Sequence, residues 1–87
     1  MPDHRICYQK FKDTIPKLLS KRRLTIFELH ASFKEQFPEC IDEERRMHSG
    51  KNFGAEWKHL VRGALDALRD EGVIDHEKGR GKPWHLA

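Results

Sequence analysis

The stretch 54–72, GAEWKHLVRGALDALRDEG, constrains this chain more than any other. Trp57, Leu60, Val61, Ala64, Leu65 and Leu68 recur at the three- and four-residue spacing that gathers side chains on one stripe of an α-helix. Lys58, His59, Arg62, Asp66, Arg69 and Asp70 fall on the opposite side. Gly72 follows the last turn, where a left-handed residue ends many helices, and Val73 and Ile74 then open a β-favouring run. A helix with a buried seam and a basic first half, running straight into a hairpin, has the pattern of one that reads DNA.

Length sets the limits around that helix. At 87 residues the chain has material for one core, and the expectation is a single domain spanning 1–87. Seventeen Lys and Arg against fourteen Asp and Glu leave a net charge of +3, a mild excess. Net charge therefore says little about nucleic acid, and the placement of the cations must decide. Cys7 and Cys40 lack the paired spacing of a zinc site or a disulfide framework, and they read as two reduced thiols of a cytoplasmic protein. No run approaches the roughly 20 apolar residues of a membrane span, and residues 1–10 lack the apolar core of a signal peptide.

Taken in order, residues 1–4 are expected to fray. Cys7, Tyr8, Phe11, Ile15, Leu18 and Leu19 form one helical face, interrupted by Pro16. That interruption is read as a kink in one helix, or else as the start of a helix preceded by a short turn. Lys21, Arg22 and Arg23 suit the negative end of this helix, or phosphates. Thr25-Ile26-Phe27-Glu28 has the capping-box pattern, opening a second helix with the stripe Ile26, Leu29, Phe33 and Phe37, which Pro38 stops. His30 borders that stripe as a core-edge histidine, and only a very short strand fits at Leu24 and Thr25.

The segment 39–53 has no clear stripe. One helical turn fits at 42–46, a turn at Ser49-Gly50, and Asn52 is the expected cap of the third helix. Beyond Gly72, 73–76 and 83–86 pair as antiparallel strands around a basic, glycine-rich tip at 78–82. Trp84 and Leu86 share a face and should cover the helices, with His85 pointing away.

Helix, short extended piece, helix, helix, strand, tip, strand is the winged-helix order, an α+β fold of three main helices and a small antiparallel wing sheet. Residues 42–86 resemble the N-terminal winged-helix module of Mrr-type restriction endonucleases. The residues that carry this are 42–46 (DEERR), Ser49-Gly50-Lys51, Phe53, Trp57, the run from Leu65 through Leu68 to Gly72-Val73-Ile74, and Trp84-x-Leu86. Ile15-Pro16-x-Leu18-Leu19 is similar to that module's first helix. The resemblance implies a DNA-associated module connected with restriction systems. The sequence ends at Ala87 with no counterpart of the family's nuclease domain, so cleavage is not implied.

The expected DNA contacts are Asn52, Lys58, His59 and Arg62 around the first turns of the third helix (54–71) in the major groove. Lys78, Arg80 and Lys82 join them from the wing, on the backbone or in the minor groove. Asp66 and Asp70 lie later on the helix and repel phosphate, which favours entry by its N-terminal half. No catalytic residue is expected. Glu56-Trp57-Lys58 spells the E-x-K fragment of a nuclease signature, but on a helix and with no mixed sheet to complete the site. Neither a metal nor another cofactor is expected, because histidine and cysteine spacings match no ligand set and the glycine-rich tip leads into no helix.

The expected partner is double-stranded DNA, with no membrane and no small-molecule substrate; a homodimer is open. The alternative is a winged helix that binds protein without DNA, using Trp57 or Phe27 as an anchor. Phe27 lies about 100° off the stripe of its helix, so exposure of Phe27 would favour that alternative.

Overall fold

The computed structural model describes residues 3–42 and 55–87. Among them the order is α1 (His4–Leu19), α2 (Ile26–Gln36), a single 3-10 turn (Pro38–Cys40), α3 (Glu56–Asp70), β1 (Ile74–His76) and β2 (Trp84–Leu86). The fold is α+β: three α-helices beside a two-stranded antiparallel sheet. The expected helical turn at 42–46 and the turn at Ser49-Gly50 lie outside the described residues, apart from Asp42 itself, as does Asn52. The N-cap of α3 is Ala55, without a side-chain cap, and not the expected Asn52, because the helix starts only at Glu56.

Helix α1 starts earlier than the apolar stripe suggests. Asp3 accepts a hydrogen bond from the backbone N–H of Arg5 at 2.8 Å, so the helix is capped at a residue expected to fray. That bond holds the Asp3 carboxyl below its ordinary pKa. Of the two readings of Pro16, the single helix holds: α1 runs through it to Leu19. Cys7, Phe11, Ile15 and Leu19 are its buried face, packed chiefly on α3.

Helix α2 opens as its sequence dictates. Thr25 Oγ1 accepts from the Glu28 N–H at 3.2 Å, and the Glu28 carboxylate accepts from the Thr25 N–H at 2.9 Å, a complete capping box. Leu29 and Phe33 are buried from this helix, and Phe33 meets Phe11 of α1 with ring centroids 4.7 Å apart.

One expectation fails outright. Cys7 and Cys40 are not two free thiols; they form a disulfide, with Cα atoms 5.7 Å apart. The 3-10 turn after Pro38 folds back on the first half of α1, where the ion pair of Lys10 with Glu39 at 2.9 Å holds the same junction. A lone long-range pair has no spacing signature, since tertiary folding alone brings its members together. The ground for expecting a reducing compartment goes with the free thiols. Among the described residues no helix is long and apolar enough to cross a membrane.

Helix α3 buries Trp57, Val61, Ala64, Leu65 and Leu68, the expected seam except that Leu60 is only partly buried. It ends where expected. Gly72 takes a left-handed φ of 79°, its N–H donates to the Arg69 carbonyl, and the Val73 N–H donates to Leu68, a Schellman closure. Strands β1 and β2 pair Ile74 with Leu86 and His76 with Trp84. Ile74 and Trp84 are buried, whereas Leu86, the last residue of β2, is 40% exposed and gives less cover than expected.

Candidate nucleic-acid interface

Two tryptophans set the geometry of the basic face. Trp84 is 1% exposed and fastened to the link between α1 and α2: its N–H donates to the Leu24 carbonyl at 2.7 Å and its carbonyl accepts from Leu24 at 3.1 Å. This bridge is the very short strand that the sequence allowed near Leu24. His76 stacks on the Trp84 indole at 4.2 Å, and the guanidinium of Arg62 stands 5.7 Å from that ring. A cation over an indole face is attracted to its π density. A residue of α3 is thereby held against a residue of the hairpin.

Trp57 does the same one helical turn earlier. It is 2% exposed, with Lys58 Nζ at 5.7 Å and Lys34 Nζ of α2 at 5.8 Å from its ring, and His30 packs edge-on at 4.9 Å. Burial removes Trp57 as a protein-docking anchor.

The basic side chains converge. A depression of about 580 Å³ is lined by Phe27 and Ile26 of α2, Arg62 of α3, and His76, Arg80, Lys82 and Trp84 of the hairpin. A second shares Ile26 and Arg62 and adds Lys58 and His59. A third shares Lys58 and adds Lys34. The three share lining residues, and among the described residues none has an aspartate or glutamate in its lining. Outside these linings Arg22 pairs with Glu28 at 3.0 Å, Arg23 with Glu77, and Lys12 with Glu71 at 2.7 Å. The Lys12 contact raises that ammonium's pKa, and the backbone bond from Thr25 holds Glu28 below the ordinary carboxylate value. Within Lys21-Arg22-Arg23, Arg22 and Arg23 are thus both paired, and Lys21 makes no ion pair among the described residues.

Asp66 is the nearest opposing charge. Its Oδ1 lies 3.4 Å from Arg62 Nε and 3.5 Å from Arg69, without hydrogen-bond geometry to either. Arg62 is thus oriented by an indole and a carboxylate and remains more than half exposed.

At the hairpin tip, His76 Nε2 lies 2.9 Å from the Lys82 carbonyl, and the Glu77 N–H donates to the Pro83 carbonyl at 3.3 Å. Gly79 and Gly81 have φ of 118° and 74°, a backbone that residues with a Cβ rarely adopt, so the tip requires them. Of the residues expected at the interface, the structure brings together Lys58, His59, Arg62, Arg80 and Lys82. Lys78 is exposed on the tip but lines none of the depressions, and Asn52 lies outside the described residues.

Sequence reasoning did not assign Lys34, His76 or Trp84 to this face. The spacing of Phe27, Ala31 and Lys34, four and three residues apart on the off-stripe side of α2, carried a signal for Lys34. His76 and Trp84 had none, because both also read as strand residues of a core. Compared with known proteins, the chain matches no family model, no curated protein and no solved structure.

Proposed function

We propose that this chain is a non-catalytic winged-helix module that binds double-stranded DNA, with α3 in the major groove and the β1–β2 hairpin as the wing. One observation carries the reading: Arg62 from the third helix and Arg80 and Lys82 from the hairpin line one depression that has no carboxylate in its lining. Lys58 and His59 extend the same face toward the start of α3, the end that a recognition helix presents to base edges. The resemblance of 42–86 to the Mrr-type N-terminal module supports the same reading and suggests a targeting role beside a restriction system. No cofactor and no small-molecule substrate enter this proposal.

The electrostatic part has a direct test. Neutralising four to six phosphates should give a plot of log affinity against log salt with a slope of about −3.6 to −5.4, at roughly 0.9 per phosphate. Arg62→Ala combined with Arg80→Ala should leave the circular dichroism spectrum unchanged and weaken binding to a labelled duplex by about tenfold or more. A salt slope near zero, or a double variant that binds as well as the parent, would refute the reading.

A protein-docking role is favoured by one specific feature: Phe27 is 72% exposed, on the same face as the cations. A lone exposed aromatic among cations is a small anchor, and no wider apolar patch surrounds it in the linings. The basic convergence therefore outweighs it.

A further inference from the structure

Phe27 is an exposed apolar residue of the lining that binding to duplex phosphates does not use. Exposed apolar side chains are common and by themselves decide nothing. Position is what matters here. The ring is 72% exposed, yet it stands on one of the best-fixed turns of the chain, between the two reciprocal hydrogen bonds of the Thr25–Glu28 capping box. The same depression is lined by Arg62, Arg80 and Lys82 and by the stacked His76–Trp84 pair.

Such a groove selects a ligand that is flat and apolar on its faces and anionic at its edge. A nucleotide has both properties, the base lying on the phenyl ring and its phosphate reaching a guanidinium or ammonium. An apolar peptide anchor would bring no counter-charge to Arg80 and Lys82, whereas Arg62 has Asp66 at 3.4 Å. Within continuous B-form duplex, by contrast, every base face is covered by its neighbours and only the edges are accessible. Stacking by a ring on this face needs a base that has left the stack.

Resting on the DNA reading above, we propose that Phe27 is the stacking wall of a groove for one unstacked nucleotide. The module therefore prefers duplex DNA carrying an unpaired base to continuous duplex. Arg62, already oriented over Trp84 at 5.7 Å, and Arg80 and Lys82 on the hairpin tip take the flanking phosphates.

The test uses the full chain and two labelled duplexes of equal length, one continuous and one with a single bulged adenine replaced by the fluorescent analogue 2-aminopurine. The parent protein should bind the bulged duplex about fivefold or more tightly, the effect expected of one base–aromatic stack, and should quench the analogue. Phe27→Ala should abolish that preference and the quenching while keeping the continuous-duplex affinity and its salt slope. Phe27→Trp should retain the preference. Equal affinity of the parent for both duplexes overturns the proposal, as does a Phe27→Ala variant that still prefers the bulge. If salt-dependent duplex binding persists in either case, only this inference falls. Absence of binding to both duplexes removes the DNA reading and this inference together.

Discussion

Two residues show how strongly single positions are determined in so small a domain. Trp84 closes the sheet onto Leu24, carries His76 on one side and holds Arg62 against the hairpin. It belongs to the core and to the proposed interface at once, so a substitution there would confuse loss of fold with loss of binding. Gly72 is a cleaner test. Its φ of 79° is one that a residue with a Cβ adopts at a cost of roughly 1–2 kcal/mol, and no atom lies within 4 Å of the added Cβ. Gly72→Ala should therefore lower stability by about 1 kcal/mol through backbone strain alone, with no change in spectrum. Urea denaturation of the two proteins measures this, and an unchanged midpoint would mean that the helix end can relax.

The elements depend on local hydrogen bonds that titrate. Glu28 closes the cap of α2 as a carboxylate, and the bond from the Thr25 N–H is the largest cause of its lowered pKa, followed in the same direction by Arg22. Asp3 at the start of α1 and Glu39 beside Lys10 are lowered for similar reasons. A carboxyl whose pKa is lower in the folded state binds its proton more readily once unfolded. Its stabilising contribution is therefore complete above the ordinary glutamate value of 4.5 and is lost as pH falls below it, through the lowered native value. The urea midpoint should accordingly decline on acidification through this range and stay level on its alkaline side toward neutrality. Glu28→Gln keeps an acceptor for Thr25 but cannot titrate, so it should flatten part of the decline. A variant with the parent's full pH dependence would assign the effect to the other carboxyls.

At the scale of the molecule, a covalent tie and two indoles hold the helices in register. The Cys7–Cys40 disulfide closes a loop with a sequence separation of 33, joining α1 to the turn after α2. Loop closure of this length restricts the unfolded chain and is worth about 2–4 kcal/mol. Both cysteines are buried, so reduction acts mainly on the unfolded form. Unfolding in urea with a thiol reductant present throughout should move the midpoint down by a corresponding amount. Identical curves with and without reductant would show that packing of Phe11, Phe33 and Phe37 holds this junction unaided. The proposed DNA face is lined by residues of α2, α3 and the hairpin and includes neither cysteine, so duplex affinity is not expected to follow thiol state while the protein is folded.

The sequence alone determined the features whose physics is local. The seam from Trp57 to Leu68 is written in helical periodicity, the Thr25–Glu28 cap in two residues three apart, and the helix end at Gly72 in one glycine. Element order, the antiparallel hairpin and most of the basic residues brought together on one face followed from these. What needed the tertiary structure was every relation between segments distant in the chain. Cys7 meets Cys40 only once the turn at Pro38 folds onto α1, Leu86 is left 40% exposed at the end of β2, and α1 reaches back to His4 because Asp3 finds a backbone N–H. Phe27 reads as an off-stripe aromatic until α3 and the hairpin place three cations around it. Periodicity tells a side chain which way to face on its own element, whereas only packing decides what stands opposite.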